Sequence, residues 1–117
     1  MNDLTNEHCA EFDRYVVKWQ KILNLSDWRI ERSGRRSKRS MAEISFDRNA
    51  RLACYQIGVS FGGASVTPES LEVTALHELL HVLLHDLIYA EPAALEGAEH
   101  RVINVLEKLL IRGSHAA

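Results

Sequence analysis

The sequence predicts an α+β fold in which a leading helix is followed by a small three-stranded, mainly antiparallel sheet and then by two helices. Three observations carry this expectation. Apolar residues recur at steps of three and four near the start, alternate with polar residues through the middle, and return to helical spacing over the last half. With 117 residues and 46% hydrophobic content the chain suits one modest core, so residues 1–117 read as a single domain.

The first helix is expected over residues 4–25, where Phe12, Val16, Trp19 and Leu23 share a face. Residues 24–27 read as a break, and Trp28-Arg29-Ile30 starts a first strand that ends in a basic run. Ala42, Ile44 and Phe46 then alternate in a second strand, and Asp47-Arg48-Asn49 supplies the turn of a hairpin. Tyr55, Ile57, Val59 and Phe61 mark a third strand over residues 52–61, closed by Gly62-Gly63. Thr67-Pro68-Glu69 is a helix start: Thr67 caps, Pro68 takes the first helical position, and Glu69 and Glu72 complement the positive end of the dipole. That helix should run to about Tyr89, and a last one from Pro92 to about Arg112, with Gly113 as its stop.

Charge is unevenly spread. Residues 29–51 hold eight basic and three acidic residues, whereas residues 69–107 hold eight acidic and one basic, together with four of the six histidines. A divalent cation would be most welcome in the second region. The first ten residues lack the basic start and apolar core of a secretory signal, and no apolar run reaches the length of a membrane span. Cys9 and Cys54 form no CxxC pair, so reduced thiols in a cytoplasm are the expectation.

Within the penultimate helix stands His77-Glu78-Leu79-Leu80-His81, an HExxH pattern. Histidines four apart share one helical face, so both rings can reach one Zn²⁺, while Glu78 projects about a quarter turn away, towards a metal-activated water rather than the metal. His77 and His81 are therefore the expected zinc ligands and Glu78 the general base. A catalytic zinc also needs a third protein ligand. Glu99 heads the apolar stripe of Val102, Ile103, Leu106, Leu109 and Leu110 and is the first candidate, because a carboxylate buried there needs a partner. Glu96 is the runner-up. His85 suits a supporting role beside the metal or at the helix end, and His100 either a contact to an oxyanion or substrate or a solvated surface position; His8 and His115 have no constellation around them.

The segment HELLHVLLH followed by EGAEHRVINVLEKLL resembles the ImmA/IrrE-like and related phage and bacterial zincin-type metallopeptidases. The resemblance covers residues 67–110 well and the preceding sheet in outline. It implies a minimal zincin-like domain in which His77, His81 and Glu99 hold zinc and Glu78 is the base. SprT-like proteases share HExxH but usually take a third histidine, a place that His100 would have to fill. The reaction so implied is peptide hydrolysis, with the third strand as an edge that binds a peptide or protein substrate by strand addition. A rival is a metal-dependent endoribonuclease of the YbeY type, which would employ Arg32, Arg35, Arg36, Lys38 and Arg39 on phosphate. Glu78 speaks against it, and a basic run without interleaved aromatics reads better as a solvated hairpin tip. A metal-binding protein without peptidase activity is the third alternative.

Overall fold

The structure is a computed structural model that describes residues 3–89 and 92–115, the side chains of 92–96 excepted. Among the described residues the chain forms helices α1 (Asn6–Ile22), α2 (Pro68–Ile88) and α3 (Pro92–His115), and strands β1 (Arg29–Ser37), β2 (Ala42–Asp47) and β3 (Leu52–Gly58). This is the expected α+β order. No helix among them is long and apolar enough to cross a membrane.

Both leading helices start on reciprocal caps. Thr5 accepts from the His8 backbone N–H while His8 Nδ1 accepts from the Thr5 N–H, so His8 serves the helix start. Thr67 and Ser70 do the same for α2, with Pro68 in the first turn. The first helix ends at Ile22, earlier than its apolar spacing predicts, because the backbone turns left-handed at Asn24 (φ 55°). The last helix passes through Gly113 to His115, so that glycine does not stop it.

The sheet departs from expectation. Its order is β1-β3-β2, with β2 antiparallel and β1 parallel to β3, so it is mixed rather than mainly antiparallel. The β2–β3 hairpin is present, whereas residues 38–41 form a crossing from β1 to β2 instead of a hairpin tip. That crossing passes tightly over Gly58: a Cβ there would lie 2.3 Å from Ser40 O and 2.8 Å from Met41 O. Only glycine fits. Arg36 closes the same corner, donating to the carbonyls of Ile57 and Gly58 at 3.1 and 2.8 Å. The third strand is thus central and ends at Gly58, and β2 is an edge strand.

Phe12, Val16 and Trp19 of α1, Ala53, Tyr55 and Ile57 of β3, and Leu71, Leu76, Leu79 and Leu80 of α2 build one core, to which α3 adds Ile103. The α2 helix packs against α1, α3 and β2, and therefore sits at the centre with few exposed positions in its first half. Near its start Glu72 is buried, and it accepts from Trp19 Nε1 at 2.8 Å, from Lys18 Nζ and from His115 Nε2 at 2.9 Å. One carboxylate so joins all three helices, and both Glu72 and His115 have structural partners that their sequence positions did not suggest.

Candidate metal centre

Because α2 and α3 run antiparallel, the middle of one faces the middle of the other. His77 meets Glu107, and His81 meets Glu99 and His100. The ring centres of His77 and His81 are 5.1 Å apart, those of His81 and His100 5.1 Å, and those of His77 and His100 6.1 Å. One nitrogen from each ring lies within 4.8 Å of the other two. Three imidazoles thus converge as a set able to share one ion.

Glu99, the expected third ligand, meets this cluster at His81. Its Oε2 is 2.9 Å from His81 Nδ1, and Glu107 Oε2 stands 2.8 Å from His77 Nδ1. An ionised carboxylate only accepts, so in the neutral rings each Nδ1 carries the proton and each Nε2 keeps its lone pair. Glu107 was not anticipated from the sequence, although it follows Glu99 by eight residues, about two turns along the same face. The side chain of Glu96 lies outside the described residues.

Glu78 is 7% exposed and lies beside the histidines. Burial pushes its carboxyl up to about 7, against the opposing pull of His77. The hydrogen bond that His77 donates to Glu107 raises His77, while burial lowers His81. A buried carboxyl poised near neutrality next to imidazoles suits a group that takes and returns a proton.

These side chains open into a cleft of about 690 Å³ whose other wall is β2: Ala42, Glu43, Ile44 and Phe46 face His77, Glu78, His81, His85, Ile88, Tyr89, Glu99 and His100. A cavity of about 760 Å³ lies between α1 and the ends of α2 and α3, but its Glu72 and His115 are bound to each other. The chemistry favours the cleft. His85 stands apart from the three clustered histidines, stacked on Phe46 at 4.0 Å with Trp28 edge-on at 5.5 Å. The strand beside the site is β2, not the third strand that the sequence suggested.

Arg32, Arg35 and Arg36 of the basic run lie on β1, at the sheet edge opposite β2, and Lys38 and Arg39 on the crossing that follows it. Arg32 pairs with Asp13 and Arg39 with Glu43, and Arg36 is spent on backbone carbonyls. Comparison of the chain with protein-family models, with curated proteins and with solved structures finds no match in any of the three.

Proposed function

We propose that the chain is a zinc-dependent peptidase of zincin-like architecture, with the metal held by His77, His81 and His100 and with Glu78 as general base. The convergence of three imidazoles beside one buried glutamate, in a cleft walled by an edge strand, is the observation that carries this reading. Neutral imidazole nitrogens, each of two backed by a carboxylate, are a donor set that suits zinc. Zinc in such a setting supplies Lewis-acid chemistry, which makes water acidic enough to attack near neutral pH.

The remaining steps fall to the chain itself. Glu78 takes a proton from the attacking water as the new C–O bond forms, and hands it to the amine as the C–N bond breaks. Glu99 and Glu107 fix the tautomer and the orientation of His81 and His77. The β2 strand is hydrogen-bonded to β3 along one edge, and its other edge has no strand partner among the described residues, so an extended peptide can add there. The endoribonuclease alternative is less well supported, since Arg32, Arg36 and Arg39 are already paired or bonded and Arg32, Arg35 and Arg36 lie on β1, at the sheet edge away from the cleft.

The test combines metal analysis with cleavage. The isolated chain should hold about one zinc, and the zinc-loaded chain should cut an unfolded protein substrate. Glu78→Gln should keep the metal and lose the cleavage; equal cleavage by this variant would overturn the assignment of the base.

A further inference from the structure

We propose that the end of the cleft formed by Phe46, His85, Ile88 and Tyr89 is a side-chain subsite that selects one large, uncharged apolar or aromatic residue close to the scissile bond. This rests on the peptidase reading. All four residues line the same cleft as the clustered histidines. Ile88 follows His81 by seven residues and so shares its helical face, about 10 Å further along α2, while His85 is about 6 Å along. An extended peptide advances about 3.4 Å per residue. The subsite therefore receives a side chain two or three residues from the bond above His81. Successive side chains of such a peptide point to opposite faces, so the selection should fall on a single position.

The walls are apolar and held in place. Phe46 and His85 stack at 4.0 Å with 18° between their planes, and Trp28 meets both edge-on from behind, at 5.7 and 5.5 Å. The His85 ring joins the wall through its stacking on Phe46 and its contacts with Trp28 and Tyr89. Tyr89 is 56% exposed, and its ring is tilted against His85 at 5.7 Å. Ile88 is half-buried. This apolar surface is open to solvent beside a candidate reaction centre.

Charge at this end is balanced. Arg48 lies over the Tyr89 ring at 4.5 Å and pairs with Asp86 at 3.3 Å; Arg51 lies over Trp28 and pairs with both Asp86 and Asp27. Two guanidinium groups thus meet two carboxylates, and an incoming charged side chain would lose hydration without gaining an unmatched partner.

The experiment presents the zinc-loaded 117-residue chain with a peptide mixture randomised on both sides of the cleaved bond, and reads the products by mass spectrometry. The same mixture is offered for binding to zinc-loaded Glu78→Gln. Expected is enrichment of Phe, Tyr, Trp, Leu or Met at one position, reduced about tenfold in Ile88→Glu, which should accept Lys or Arg there instead and keep its zinc. Phe46→Ala should reduce the enrichment as well. Cleavage without such a preference, or a preference that both variants leave unchanged, overturns the subsite while the peptidase reading stands. If the parent cuts no peptide, that reading fails separately, and binding to Glu78→Gln decides: apolar enrichment at one position supports the subsite, and its absence overturns it.

Discussion

His100→Ala should weaken zinc binding more than loss of either carboxylate on α3. The size of each effect follows from position. A carboxylate that orients a metal-bound histidine is worth about 10 to 100-fold in metal affinity, or roughly 1.4 to 2.7 kcal/mol. Glu99 should fall at the upper end, because it is 12% exposed and its partner His81 only 16%. Glu107 should fall lower, since His77 is 27% exposed and water can replace part of the bond. His100→Ala removes a donor nitrogen itself and should cost at least about 100-fold, beyond the range of an outer partner. Glu99→Gln sharpens the comparison: its amide oxygen can still accept the His81 Nδ1–H, as a neutral rather than charge-assisted bond, so the loss should stay below about tenfold. The assay is competition with a chromophoric chelator at one fixed pH, with helical content checked by circular dichroism. If Glu99→Gln and Glu99→Ala both lose more than His100→Ala, then Glu99 is the ligand and the three-histidine assignment is wrong.

Burial alone would push the Glu72 carboxyl up, yet the hydrogen bonds from Lys18, His115 and Trp19 together hold it below the ordinary glutamate value. Its contribution to stability is therefore present above the unfolded value of about 4.3 and lost as pH falls through the lower, folded one, so urea midpoints should drop less between pH about 6 and about 3 in Glu72→Gln than in the parent; parallel slopes would remove Glu72 from the acid limb. Gly58→Ala puts a methyl group against the Ser40 and Met41 carbonyls and should lower the unfolding free energy by about 1 to 3 kcal/mol in a urea titration, with a neutral result showing that the crossing can move aside.

The helix starts were legible because their signals are local: Thr67, Pro68 and the HExxH spacing all act within one or two turns. The strand order was not. Alternation in residues 52–58 says that one face is buried, but β3 has two edges, and nothing within the strand states which neighbour takes which. Gly58 was the available clue, a glycine needed for close passage of another segment rather than for a turn. The surroundings of Glu99 were legible only in part. Apolar spacing on α3 turns Glu99 to the side of the buried Ile103, but it does not say which histidine atom the carboxylate meets. The cleft opens at the margin of the α2–α3 contact, so the next residue round the helix, the exposed His100, brings its ring to the other histidines, and Glu99 meets His81 from its Nδ1 side. Neighbouring helix positions differ by about 100°, and that rotation turns the Glu99 carboxylate to His81 Nδ1 while His100 faces the other two rings.

The mixed sheet also dictates an order of assembly. The β2–β3 hairpin closes a turn of only a few residues, whereas the β1–β3 pairing joins residues more than twenty apart, with Ile30 opposite Ala53, and requires the intervening chain to cross Gly58 first. Loop closure of the longer span costs more entropy and rewards it later. The strand that walls the cleft should thus be in place before the arginine-rich strand docks, and the slow step of folding should be the arrival of β1. Until β1 pairs, that edge of β3 has no strand partner, and the strand that comes to cover it is the arginine-rich one.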